Sequence, residues 1–133
     1  MSDAYFGKVK GYLEELELEI SQEDVEQTLF VVNDESRGIH ELIIDCEEEL
    51  LVIEQLIFPV PSDDAAVFKR LLQMNRELVH GAFVITEDGA NVLFRDTLQL
   101  ANLDLNELDG SINALGLGLA AFAEEIIDFA RGA

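Results

Sequence analysis

Two histidines, one cysteine and a crowd of carboxylates are the side chains of this 133-residue chain best equipped for chemistry. His40, His80 and Cys46 are ligand types for a transition metal, and a histidine beside a carboxylate is a basis for general acid–base work. None stands at a spacing that builds such a site, for there is no Cys-x-x-Cys and no His-x-x-x-His. His40 lies in a strand-like run beside Glu41. His80 ends a helical run, where a cation meets the negative end of the helix dipole. Cys46 closes an apolar strand, a setting for packing more than for reactivity. Asp45, Glu47, Glu48 and Glu49 gather oxygens without the alternating ligand pattern of a calcium loop, and they read as a solvated turn. No Gly-x-Ser-x-Gly elbow marks a nucleophile. Gly116-Leu117-Gly118 follows no strand and lacks the Gly-Lys-Ser/Thr ending of a phosphate loop. Its glycines instead permit close helix packing, at a cost of roughly 1 kcal/mol each in helix propensity. The expectation is no catalytic residue, no metal and no cofactor. A small-molecule or metal-binding enzyme using His40, His80 and nearby carboxylates stays as an alternative.

Charge narrows the partners. The chain carries 28 acidic against 8 basic residues, a formal net charge of −20. Such a surface disfavours nucleic acid phosphates and anionic lipid, so no nucleic acid or membrane partner is expected and a protein partner is. Acidity that merely keeps a small domain soluble is the plainer reading of the same number. Lys69, Arg70 and Arg76 place three of the eight positive charges on one helical run, for salt bridges to the acidic surface or for an acidic docking segment. A lone cysteine forms no internal disulfide, and no signal-peptide pattern or membrane-length apolar run is visible, so a cytoplasmic location is expected.

The elements that must hold these residues follow from hydrophobic spacing. At this length one domain, residues 1–133, is expected. Phe6, Val9, Leu13 and Leu16 keep helical spacing over Ala4 to about Leu18. Ser21 to Gln27 is polar and reads as a connection or a ragged strand start. Thr28–Asn33, Ile39–Cys46 and Glu49–Val60 are strand-like, the last apolar on both faces. Ser62 suits the N-cap of a second helix running to about Val79, ended by Gly81. Ala82–Thr86 and Ala90–Phe94 flank an Asp88-Gly89 turn, and Arg95–Ala101 is a short connection. Asp104 with Glu107 forms a capping-box start to a final helix over Leu103–Ala133, whose bulky stripe runs unbroken from Leu105 to Phe129. The order α-β-β-β-α-β-β-α predicts an α+β fold, an antiparallel sheet packed on helices.

The segment Leu71–Phe94, LLQMNRELVHGAFVITEDGANVLF, followed by RDTLQLANLDLNELDGSINALG, resembles the YbjN-like family of the type III secretion chaperone-like superfamily, which also holds the Tir chaperones. An Asn in the second helix, a Gly-Ala-Phe strand, a Gly turn and an Asn-Leu-Asp-Leu helix entry carry the likeness. It implies a secretion-chaperone-like α+β fold, frequent homodimers and a client polypeptide held on apolar patches, with no catalytic residues to transfer. It also implies an alternative, a sensory-transduction or stress regulator that binds a folded partner. The expected contact residues are Leu50, Val52, Leu56 and Phe58, on whichever face of the third strand the helices leave open. The strip of small residues at Gly116, Ala120 and Ala123 is the expected contact with a second subunit.

Overall fold

The computed structural model describes residues 2–132. Its elements are α1 (Ser2–Glu15), β1 (Glu19–Asp24), β2 (Leu29–Asp34), β3 (Ile39–Glu47), β4 (Leu50–Pro59), α2 (Ala65–Met74), β5 (Ala82–Ile85), β6 (Asn91–Gln99), α3 (Leu105–Ala121) and α4 (Ala123–Arg131). Short 3-10 turns occupy Glu35–Arg37 and Asn75–Glu77. The strands form one antiparallel sheet in the order β1-β2-β3-β4-β6-β5. The α+β class and the expected order of elements are those of the structure, with four local differences.

First, the polar stretch after α1 is an edge strand. Glu19–Asp24 pairs only with β2, through a register shift between Ile20 and Gln22. An edge strand needs one partner and tolerates charge, so its lack of apolar alternation concealed it. Second, Arg95–Gln99 is no connection but the continuation of β6, paired along β4 from Leu50↔Gln99 to Pro59↔Asn91. Third, α2 starts two residues later than Ser62 suggests: Asp64 is its N-cap, accepting a hydrogen bond from the Ala66 N–H at 3.0 Å. Fourth, the final helix breaks at Phe122 (φ −114°, ψ 19°) into α3 and α4. The bend turns Phe122, Ile126 and Phe129 onto α2 and the end of β4. Ala133 lies outside the described residues.

Two apolar clusters form the core, and both lie on the same side of the sheet. Phe6, Val9 and Leu13 of α1 and Leu108, Ile112 and Leu115 of α3 cover Phe30, Ile44, Ile53 and Phe94. Leu71 and Met74 of α2 with Phe122 and Ile126 of α4 cover Phe58, Phe83 and Val92. Polar ties hold the helices in place. Arg70 makes a two-pronged pair with Glu125, at 2.8 and 3.0 Å, while its guanidinium lies 5.6 Å from the Phe122 ring centroid. Arg37 reaches Asp109 at 3.2 Å, fixing the 3-10 turn against α3. Gln55 is buried on the helix side, where its amide accepts from the His40 N–H at 2.9 Å and donates to the Gly38 carbonyl at 3.1 Å. A buried amide with both ends bonded is affordable.

Candidate protein-binding surface

Because all four helices pack on one face, the other face of the sheet is left to solvent. Directly paired residues of an antiparallel sheet share a face, so the register lists what is displayed there in rows. One row runs Asp24–Leu29–Asp45–Val52–Thr97. The next runs Gln22–Val31–Ile43–Glu54–Arg95–Ala82. The third holds Leu56–Leu93–Val84, and Glu47–Leu50–Gln99 closes the opposite end. Rows on one face lie about 6.8 Å apart along the strands. Ile43, Leu50 and Leu56 are 40%, 44% and 54% exposed, which is unusual for large apolar side chains at the centre of a sheet. Val31, His40, Glu41, Ile43, Glu54, Leu56 and Leu93 border a shallow depression of about 450 Å³ with Gln22.

Charge on this face is mostly acidic and unequally matched: Asp24, Asp45, Glu47 and Glu54 stand in its rows with Arg95. Arg95 reaches Glu54 at 3.1 Å, so this carboxylate is matched. Asp45 is not: none of the ion pairs among the described residues includes it. Partial burial, followed by the like charges of Glu47 and Glu54, holds its carboxyl above its ordinary pKa. A carboxyl raised in the folded state favours folding when protonated, so its ionisation subtracts stability as pH rises through the raised value.

Of the expected contact residues, Leu50 and Leu56 stand on this open face. Val52 shares it but is nearly covered by its neighbours, at 5% exposure. Phe58 does not share it. The register shifts between Leu56 and Phe58, and this irregularity turns Phe58 inward to the second core cluster, where it is 2% exposed. Val31, Ile43 and Leu93 belong to the face and were not anticipated. Ile43 beside Ile44 was their one visible signal, an apolar pair that must point to both sides of β3.

The small-residue strip is divided in the same way. A methyl at Gly116 would stand 2.6 Å from the Arg37 carbonyl oxygen, so this glycine serves the contact between α3 and the 3-10 turn. Ala120 and Ala123 are exposed, on opposite sides of the break at Phe122. His40 is exposed beside Glu41, and exposed His80 borders Gly110 of α3. Cys46 is buried in the first cluster, and burial pushes its thiol up to about 11, where little thiolate forms. Among the described residues no three His, Cys, Asp or Glu side chains gather as a metal site.

The β5 edge carries its own cover. The Asn75 amide accepts from the Phe83 N–H at 2.7 Å and donates to the Phe83 carbonyl at 3.2 Å, as the peptide group of an added strand would. This blocks in-register strand addition where β5, Ala-Phe-Val-Ile, is most apolar. Asn75→Ala is expected to cost about 1–2 kcal/mol in chemical denaturation, because two backbone groups lose their partners. It is also expected to produce concentration-dependent association, visible by light scattering; a variant that stays as dispersed as the parent would show the edge is protected otherwise.

A six-stranded antiparallel sheet with every helix on one side and an apolar opposite face defines the secretion-chaperone-like α+β class. The chain belongs to the CesT_Tir_1 family of type III secretion chaperones, whose model matches residues 2–132. It is similar in fold to E. coli YbjN (TM-score 0.65, 11% identity, covering 90% of this chain and 91% of that one). It is likewise similar to the HopA1–SchA chaperone–effector complex (0.61, 12%, 98% and 97%). A third likeness is to the Yersinia pestis chaperone SycH in complex with a fragment of YscM2 (0.55, 14%, 94% and 98%). No curated protein matches the chain. Among the described residues, no helix is long and apolar enough to cross a membrane.

Proposed function

We propose that this protein is a non-enzymatic, chaperone-like binding module that holds a partner polypeptide on the open sheet face. The observation that carries the reading is the row structure of that face: Leu56, Leu93, Ile43, Val31 and Leu50 form an apolar surface that no helix among the described residues covers. An apolar sheet face left in water is costly unless something occupies it. Membership of the secretion-chaperone family supports a polypeptide as the occupant, and SchA and SycH have each been seen in complex with a polypeptide. Burial of apolar side chains supplies the affinity, while the acidic surroundings keep the unoccupied protein dispersed. In the same reading two copies pair through the exposed part of α3 around Leu117 and Ala120, which the mass of the protein in solution tests directly.

The test uses a chemically unfolded reporter protein and follows its aggregation by light scattering. The wild-type chain is expected to delay aggregation, and Leu56→Asp to abolish the delay. Because Leu56 is more than half exposed, the substitution should change folding stability by no more than about 0.5 kcal/mol. Undiminished protection by Leu56→Asp would place holding elsewhere on the molecule. A partner captured as a folded domain, with no extended or unfolded segment in contact, would favour the regulator reading instead.

A further inference from the structure

We propose that the segment held on the open face is amphipathic and cationic, with apolar side chains seated on the Leu56 and Ile43 rows and a lysine or arginine seated on Asp45. This rests on the open face being the holding surface. It follows from where the charge of the face lies and from which of its carboxylates is matched. Glu54 is already matched by Arg95 at 3.1 Å, so that row accepts an apolar occupant without leaving an unpaired ion. Asp45 lies one row further along, between Leu29 and Val52, partly buried, with the like charges of Glu47 and Glu54 beside it and no ion pair among the described residues.

Each class of occupant meets Asp45 differently. A wholly apolar segment would strip water from an unpaired carboxylate, a severe penalty. A second copy of this chain would bring another −20 and set its own carboxylates against Asp45 and Glu54. A segment with one correctly placed cation pairs Asp45 and buries its apolar side chains at once. Arg95, the one cation in the rows, is engaged by Glu54.

The probe is a fluorescein-labelled amphipathic peptide of leucine and lysine, with a counterpart in which glutamate replaces every lysine. Anisotropy reads the affinity across a salt series. The lysine peptide is expected to bind the wild-type chain and the glutamate peptide not to bind. Asp45→Asn should weaken the lysine peptide about tenfold and flatten its salt dependence. Glu124→Gln, a neutralisation of equal charge on α4 at the far side of the molecule, should change it little. Equal losses in Asp45→Asn and Glu124→Gln would overturn the proposal, since the attraction would then belong to the whole acidic surface. Loss in Leu56→Asp with no loss in Asp45→Asn would keep the holding surface and remove its charge preference; binding unchanged in both would remove the two together. A homodimer that Leu56→Asp converts to monomer, with peptide binding intact, would show a second copy in the place assigned to the segment.

Discussion

Gly81→Ala is expected to destabilise the fold by about 3 kcal/mol, with a fall in Tm of about 10 °C. Gly81 sits at φ +72°, in the left-handed region, where a side chain costs roughly 1–2 kcal/mol. Space adds to conformation. A methyl built there meets the Phe94 ring, 2.8 Å from Cε1, and stands 3.1 Å from the Arg95 carbonyl oxygen. Phe94 is fully buried in the first cluster, so any shift of its ring disturbs packed neighbours. Gly89 supplies the control. It shares the positive φ, at +73°, but nothing lies within 4 Å of a methyl there. Gly89→Ala should therefore cost only the conformational part, about 1 kcal/mol. Chemical denaturation of both variants separates the terms, and equal losses would dismiss the steric one.

The second large effect is expected at Phe30. Phe30→Ala should cost about 4 kcal/mol, through lost apolar burial and the cavity left behind. Phe30 is fully buried and stacks on Phe6, with ring centroids 4.3 Å apart and planes 10° from parallel. Through that stack β2 is tied to α1, whose Val9 and Leu13 are buried in the same cluster. Amide exchange over Ser2–Glu15 should accelerate more than exchange in α2, which belongs to the second cluster. Uniform acceleration across both helices would mean the two clusters open as one unit.

Much of this architecture is legible in residue order because the determinants are local. Asp104 and Glu107 make both bonds of a capping box, at 2.8 and 3.2 Å, and those need only a three-residue spacing to be foreseen. Helical spacing in α1 and the Asp88-Gly89 turn are equally local. What escaped depends on residues far away in sequence. Glu-Leu-Leu-Val-Ile-Glu-Gln-Leu-Ile-Phe reads as apolar on both sides, and only the placement of every helix shows that Leu51 and Ile53 face the core. The shift before Phe58 then reassigns its side chain, as any one-residue irregularity in a strand must. Gly116 stands in a strip of small residues, and only the fold brings the Arg37 carbonyl, nearly eighty positions earlier in the chain, against it. The bend at Phe122 is of the same kind: the apolar stripe keeps its spacing through the break, so periodicity alone carries no trace of it.

The one-sided packing of the sheet has an evolutionary consequence. Along β4 the even positions Leu50 to Leu56 lie on the open face and the odd positions Leu51 to Gln55 on the helix-covered one, so under the proposed function the first set answers to a held polypeptide and the second to the fold. Mutations on the open face are therefore expected to drift or be selected without passing through unfolded ancestors, and under the proposed function a lineage would exchange one held polypeptide for another by small steps. The same separation makes this face a natural target for directed evolution, with the helix-covered side held constant as an unchanging frame.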